Sequence, residues 1–198
     1  AFSEDNKAKL GTQACCNVVI AALDAHIALA EATTAACKAV CVLAFKTNKQ
    51  VLGQLGACSA IVNALFSHCT VAGVAEWGSR AISNLAVNDM NNSKELGTRE
   101  APVAVVYALC SHLNSPGVAE GGCRAIANLS DNNTDNAVQF FSAGACEAVL
   151  YAINTHTDVP GVAEWGSRAI LNLAVCNKES NIALGEAGAC ETMVATIR

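Results

Sequence analysis

One segment of this chain occurs three times at a constant spacing, and that repetition constrains the fold more than any other feature. GVAEWGSRAISNLAV begins at Gly73, GVAEGGCRAIANLS begins at Gly117 and GVAEWGSRAILNLAV begins at Gly161, so successive copies are 44 residues apart. A fixed period of this length is typical of repeat proteins, in which each unit stacks on its neighbours. We therefore expect an open stack of similar units and not a closed globule.

The rest of the chain aligns with the same period. All four histidines occupy one repeat position, and a basic residue follows each of them twelve positions later. Those bases are Lys38, Arg80, Arg124 and Arg168. The alignment predicts a single repeat domain over residues 1–198, with units at 1–46, 47–89, 90–132 and 133–176 and a partial fifth unit at 177–198.

Apolar periodicity within the second unit indicates three helices. Residues 48–55 form a predicted short helix, and the segment after it has the apolar stripe of a second helix. A third helix over about 71–87 has apolar residues on one face and Glu76, Arg80 and Asn84 on the other. Three prolines and few aromatic residues in the whole chain also favour helices over a sheet. The predicted class is all-α.

These units resemble the repeats of the armadillo family. The shared features are a short first helix, a second helix that opens after Gly-Ala at 56–57, and a long third helix that ends in A-I-x-N-L. HEAT repeats, with two helices in each unit, are the nearest alternative. The resemblance implies a right-handed α-solenoid whose third helices line a concave groove.

The resemblance also implies a peptide-binding role for one asparagine in each unit. In armadillo proteins the Asn of the N-L pair bonds the backbone of an extended peptide, and the matching residues here are Asn84, Asn128 and Asn172, with Val42 in the first unit. Importin-like members carry a Trp four residues before that Asn, where this chain has its four bases, which argues against recognition of nuclear-import signals. An arginine row instead suits carboxylates, phosphates or polar backbone. The predicted groove residues are Lys38, Arg80, Asn84, Arg124, Asn128, Arg168, Asn172, Trp77 and Trp165.

Simpler interpretations stay open for the same positions. Glu and Arg four residues apart form an ordinary pair on a solvated helix, worth about 0.2–0.5 kcal/mol, and need no ligand. Trp77 and Trp165 either pack on the third helix of a neighbouring unit or flank a pocket above Gly121.

Composition argues against several other classes of protein. A net charge of −5 gives no general attraction to nucleic acid. The stretch from Gln50 to Ala75 has no formal charge, but it reads as two buried helices and not as a membrane span. No secretory signal opens the chain. Eleven cysteines without metal-ligand spacing indicate small buried residues in a reducing compartment, so we expect an intracellular location, cytoplasmic or nuclear.

The sequence contains no recognisable catalytic or cofactor motif. Histidines one repeat apart lie about 10 Å from each other, too far to share a zinc ion, and they are better explained as partners of carbonyls at helix ends. No phosphate-binding loop and no combination of nucleophile, base and orienting acid is suggested by a local signature. We therefore expect no catalytic residues, no metal and no cofactor.

The resulting functional hypothesis is a non-enzymatic scaffold that binds an extended or helical segment of another protein along the third-helix groove. Two alternatives remain: a structural segment of a longer repeat protein that associates through its ends, and an adaptor or exchange factor for a small GTPase. The expected partner is a protein or peptide, with no nucleic acid and no membrane. Self-association through exposed solenoid ends is a further expectation, because the last unit lacks its third helix and stops on an apolar stripe.

Overall fold

Helices follow one another, without a strand, through residues 12–196, the part of the chain that this computed structural model describes. In chain order they are α1 (Gln13–Ala25), α2 (Ala30–Leu43), α3 (Asn48–Gln54), α4 (Ala57–Ser67), α5 (Ala72–Ala86), α6 (Met90–Thr98), α7 (Ala101–Ser111), α8 (Pro116–Ser130), α9 (Thr134–Ser142), α10 (Ala145–Thr155), α11 (Pro160–Cys176), α12 (Lys178–Glu186) and α13 (Ala189–Thr196). The predicted all-α solenoid is confirmed. The start of the predicted first unit, residues 1–11, lies outside the described residues, and the unit boundaries stay a prediction.

The helices alternate between a short, an intermediate and a long type. The short first helices are α3, α6, α9 and α12; the second helices are α1, α4, α7, α10 and α13; and the long third helices are α2, α5, α8 and α11. Side chains of Asp89, Asn133 and Asn177 cap the last three first helices by accepting backbone N–H groups. Pro116 and Pro160 open two of the third helices, where a missing N–H costs nothing.

The third helices stack directly on one another and curve the solenoid. α2 packs along α5, α5 along α8 and α8 along α11, whereas successive second helices contact each other far less. A stack bends toward the side on which its elements lie closest together, so the third helices form its inner side and the second helices its outer side. Ile82 of α5 and Ile126 of α8 are completely buried between these two sides.

An asparagine joins each of two first helices to the first helix before it. Asn136 of α9 is buried, and its Nδ2 donates to the carbonyl of Ser93 at 3.1 Å and to that of Leu129 at 2.9 Å. Its Oδ1 lies so close to Gly97 of α6 that a Cβ there would be 2.0 Å away. Only glycine leaves room for this contact.

The same asparagine–glycine pair occurs one unit earlier but not one unit later. Asn92 of α6 bonds the carbonyls at the two equivalent positions and lies against Gly53 of α3. In the last pair of first helices, Phe141 occupies the glycine position and Ser180 the asparagine position. The shorter serine accompanies the bulkier residue, as expected if the two positions must fit each other.

The histidines join the second-helix ends of successive units. His112 Nε2 donates to the carbonyl of Cys69 at 2.9 Å, and His156 Nε2 donates to that of Leu113 at 2.9 Å. His68 makes the same bond one unit earlier. Each acceptor is the residue immediately after the histidine position of the preceding unit, so the predicted partnership with carbonyls acts between units.

The uncharged stretch of the second unit is divided between two helices. Within residues 12–196 no single helix is long and apolar enough to cross a membrane; α3 and α4 reach that length only together, and they meet at an angle of 73°.

Gly97→Ala should destabilise the protein, because the new methyl group would overlap the buried carboxamide of Asn136. We expect a loss of about 1–3 kcal/mol in the free energy of unfolding, typical of overpacking. Gly185 occupies the same repeat position in α12, but no atom lies within 4 Å of the place where its Cβ would stand. Gly185→Ala should therefore be neutral or stabilise by up to about 1 kcal/mol through helix propensity. Urea titration followed by circular dichroism measures both, and equal losses would contradict the proposed clash.

Candidate binding face of the third helices

The predicted groove residues all lie on the row of third helices, and we call these nine residues the inner row. The structure brings them together, but most of them contact the next helix and do not stand free in solvent. Only 20% of the Arg80 side chain is exposed, compared with 61% of the Arg168 side chain. In the middle of the stack the neighbouring third helix thus covers Arg80 in part, whereas Arg168 at the end of the row faces solvent.

Each inner-row asparagine donates from Nδ2 to the third helix of the preceding unit. The acceptor always belongs to the residue immediately before the asparagine position of that unit. For Asn84, Asn128 and Asn172 the acceptors are the Cys41 carbonyl, the Ser83 hydroxyl and the Ala127 carbonyl, each at 2.8 Å. A hydrogen bond of this kind contributes about 1 kcal/mol, so the three asparagines hold the stack in its alignment.

The three asparagines differ at their carbonyl ends. Asn84 Oδ1 accepts a hydrogen bond from Arg124 Nη2 at 3.1 Å. Both the Nδ2 and the Oδ1 of this side chain are therefore hydrogen-bonded within the protein. The Oδ1 atoms of Asn128 and Asn172 accept no hydrogen bond from any residue in the range 12–196. Two acceptors one unit apart therefore remain available on the inner side.

Arg80 links two third helices through carboxylates. Its Nε lies 3.4 Å from Glu76 Oε1 in its own helix, and its Nη2 lies 3.4 Å from Glu120 Oε2 in α8. Glu76 also reaches the first turn of α8, where a Cβ on Gly117 would be 2.7 Å from its Oε2. A carboxylate at that place is stabilised by the positive end of the helix dipole. The charge of Arg80 is therefore neutralised within the row.

The two tryptophans contact cations from two successive units. Lys38 Nζ lies 4.9 Å from the centroid of the Trp77 ring and the Arg80 guanidinium carbon lies 5.6 Å from it. For Trp165 the corresponding cations are Arg124 at 5.0 Å and Arg168 at 5.1 Å. Cation–π contacts of this kind contribute about 0.5–1 kcal/mol at exposed sites. This geometry favours the first sequence interpretation, in which each indole packs on a neighbouring third helix.

Gly121 occupies the tryptophan position in the unit between them. A Cβ at Gly121 would lie 3.1 Å from the backbone oxygen of Glu76, so a side chain there would require α5 and α8 to move apart by a few tenths of an ångström. The glycine is thus explained by helix packing. It leaves a gap between the two indoles along the row.

The row ends differently at α11, because no third helix follows it among the described residues. Glu164 and Arg168 are largely exposed and stand 3.7 Å apart. Leu171 is 60% exposed and Val175 is 75% exposed on the same helix. This end of the row presents apolar and charged side chains together.

Comparisons with known proteins identify the fold independently of this geometry. The family model described as LRRK2 ARM repeat matches residues 2–197. The chain belongs to this armadillo repeat family. A solved structure titled "Designed armadillo repeat protein YIII(Dq)4CqI" is similar to it with a TM-score of 0.78 and 24% identity, over 96% of this chain and 77% of that chain. At that identity the likeness shows the fold alone. No curated protein matches the chain.

Membership confirms the armadillo resemblance and supports a scaffold that interacts with proteins, since armadillo-type solenoids are generally non-enzymatic interaction modules. Among residues 12–196, no three His, Cys, Asp or Glu side chains stand close enough together to hold a metal ion. What the inner row offers is hydrogen-bonding and packing groups. The asparagine–glycine pairs of the first helices were missed by sequence reasoning, although their 44-residue recurrence at 53/97 and 92/136 was visible.

Burial suppresses the chemistry of most cysteines in this ARM-repeat chain. Burial raises the pKa of Cys37, Cys58 and Cys123 to about 12 and that of Cys146 to about 11. A thiol with so high a pKa stays protonated at neutral pH and is a poor nucleophile. These residues serve as small core side chains.

Alkylation with iodoacetamide at pH 8 should separate the two kinds of cysteine. We expect Cys190, which is exposed, to react quickly, and Cys123 to stay unmodified in the native protein. A pKa of about 12 leaves about one Cys123 thiol in ten thousand ionised at that pH. Peptide mass spectrometry over a time course measures both sites, and unfolding in urea should abolish the difference. Similar native rates would contradict the burial of Cys123.

Proposed function

We propose that the inner row binds a polypeptide segment of another protein and carries out no chemical conversion. The observation that supports this most directly is the pair of free Oδ1 atoms of Asn128 and Asn172. Third helices pack at a spacing of about 10 Å, which corresponds to three residues of an extended chain. Two amide acceptors at that spacing suit backbone N–H groups of an extended segment.

The proposed site is centred on the third and fourth units. In the first unit Val42 replaces the asparagine, and in the second both ends of Asn84 are used within the protein. Trp165 and the exposed Arg168 stand beside Asn172 on the same helix and extend the site with an aromatic and a charged contact. Because Arg80 is already neutralised, we expect recognition through polar backbone and not through a row of acidic side chains.

Selection of linear peptides displayed on phage against the purified chain would test this site. Asn128→Ala combined with Asn172→Ala should weaken the selected peptides about tenfold or more, since two hydrogen bonds of about 1 kcal/mol each are lost. Fluorescence anisotropy with labelled peptide measures the dissociation constants.

Asn84→Ala is the matched control, because it removes the same kind of bond between third helices without removing a free acceptor. It should lower the melting temperature more than either of the other two substitutions, because the hydrogen bond with Arg124 is lost as well, and leave peptide affinity within about twofold. Equal losses of affinity in all three variants would mean that the asparagines act only through the stack. Undiminished binding in the double variant would remove the inner row as the site.

A second candidate function is association through α11, which the exposed Leu171 and Val175 favour. In the observed stack, the carboxylates of Glu76 and Glu120 lie against Gly117 and Gly161 of the following helix. At the repeat position of these glycines, α2 carries Glu31. A second copy that stacked its α2 on α11 in the same way would therefore set Glu31 against Glu164. We therefore infer that α11 suits a third helix with glycine at that position, and not the α2 of another copy.

Sedimentation velocity tests this second candidate. In contrast to the self-association that we expected from the sequence, we now expect the chain to remain monomeric as its concentration rises, because two carboxylates would face each other in head-to-tail stacking. Glu31→Gly removes that repulsion and should promote association, and adding Leu171→Asp should reverse it. Concentration-dependent association of the unaltered chain that Leu171→Asp abolishes would contradict the proposed repulsion.

We further propose an intracellular location, because eleven free cysteines fit a reducing compartment. A role as adaptor or exchange factor for a small GTPase stays a prediction, which a nucleotide-release assay tests.

A further inference from the structure

Glu100 occupies a backbone conformation that the equivalent positions reserve for glycine. Between first and second helices, Gly56, Gly144 and Gly188 have φ values of 90°, 85° and 80°. Glu100 stands at the same repeat position with φ 61° and ψ 28°. A residue with a Cβ adopts this left-handed conformation only at a cost in free energy, because the Cβ approaches the following carbonyl oxygen. Its side chain makes no capping hydrogen bond to α7, so the start of the helix does not account for it.

Glu100 lies at one end of an apolar groove on the outer side of the solenoid. The groove runs between α7 and α9 and has a volume of about 540 Å³. Val103, Tyr107 and Val138 line it and are 41%, 58% and 45% exposed. Three apolar side chains that converge on one depression offer contacts to the apolar face of a helix from another protein.

The other end of the groove also lies near an unpaired carboxylate. Cys110 lines this end. Glu147 Oε2 lies 3.9 Å from the position that a Cβ on Gly144 would take, and Ala143, the residue before Gly144, also lines the groove. Burial raises the pKa of the Cys110 thiol, and the carboxylate of Glu147 raises it further. Neither Glu100 nor Glu147 forms an ion pair with any residue in the described range. The groove therefore has an apolar centre and a negative charge near each end.

All three of the positions that line the groove with apolar side chains are apolar in this pair of units, but not in the pair before it or the pair after it. One unit earlier, the positions of Val103, Tyr107 and Val138 hold Ser59, Asn63 and Lys94. The polar triplet is what a solvated outer face requires. One unit later they hold Glu147, Tyr151 and Ile182. Tyr107 is thus shared with the next unit, whereas the combination of Val103 with Glu100 is not explained by copying of the repeat.

We propose that this groove binds an amphipathic helix of a partner protein, with apolar side chains over Val103, Tyr107 and Val138 and a Lys or Arg toward each end to pair with Glu100 and Glu147. α7 has eleven residues and is about 16 Å long. The two basic residues would thus stand about ten or eleven positions apart on the partner helix. Helix-in-groove recognition of this kind buries one apolar face and orients it by charges at the rim. The site is independent of the inner row, which lies on the opposite side of the stack.

The test uses the whole chain and a phage library of 18-residue helical peptides with randomised apolar and charged positions. Selection on the unaltered chain, with counter-selection on the Tyr107→Ser variant, should enrich peptides that carry an apolar stripe and two bases ten or eleven positions apart. Anisotropy measurements on the most enriched peptide then compare variants. Tyr107→Ser should weaken its binding more than about tenfold. Tyr151→Ser, at the same position one unit later and outside the groove, should leave it unchanged.

Glu100→Gly separates a role in binding from a role in the fold. It should raise the melting temperature, because glycine adopts the left-handed conformation without strain. It should also weaken the peptide about three- to tenfold at low salt, an effect that added salt reduces. Glu147→Gln should weaken the peptide similarly without a rise in melting temperature. A residue that merely tolerated its position would show the first effect alone.

Each of the following results would overturn the proposal. They are enrichment of no peptide over the Tyr107→Ser counter-target, enriched peptides without the paired bases, unchanged affinity in Glu100→Gly, and loss of binding in the Asn128→Ala and Asn172→Ala double variant, which would place the peptide on the inner row. Self-association of the chain that Tyr107→Ser abolishes would identify a second copy as the occupant and would equally exclude the proposed helix.

Discussion

Burial of each third helix between its two neighbours is the constraint on which the other features depend. A unit of about 44 residues has too little volume to enclose its own apolar face, so it must cover that face with the next unit. Where both neighbours are present, Ser83 of α5 and Ala127 of α8 are buried. At the same repeat position of α11, which has a third helix on one side only within residues 12–196, Leu171 is exposed.

The polar side chains between units set the alignment that apolar packing alone would leave loose. The asparagines, the histidines and Arg80 each reach back or forward by one repeat to a position that is the same in every unit. A shift of one residue between neighbouring third helices would break all of these contacts together. Asn128 and Asn172 combine such a contact with a free acceptor, so the same residues serve the fold and the proposed binding site.

The two sides of the solenoid differ in what the repetition explains. On the inner side, identical residues recur because each unit must meet the next in the same way. On the outer side the second helices contact each other far less, and Val103 and Glu100 differ from the residues at the same positions in the neighbouring units. A residue that departs from the repeat and adopts a backbone conformation that costs energy is a stronger indication of a specific contact than a residue that recurs in every unit.

The amino-acid sequence by itself determined the all-α repeat architecture, the order of three helices and the face of the third helix that carries Arg80 and Asn84, because period and apolar stripe are local properties of the chain. It also indicated that the histidines bond carbonyls. Only the tertiary structure decided which asparagine oxygens are bonded within the protein: that of Asn84 is, and those of Asn128 and Asn172 are not. It also decided that the side chain of Asn136 lies against Gly97. Finally, it brought Val103, Tyr107 and Val138 together in one groove. Those outcomes depend on the distance and rotation between neighbouring units, which arise from the packing of whole helices and are not written in any single one of them.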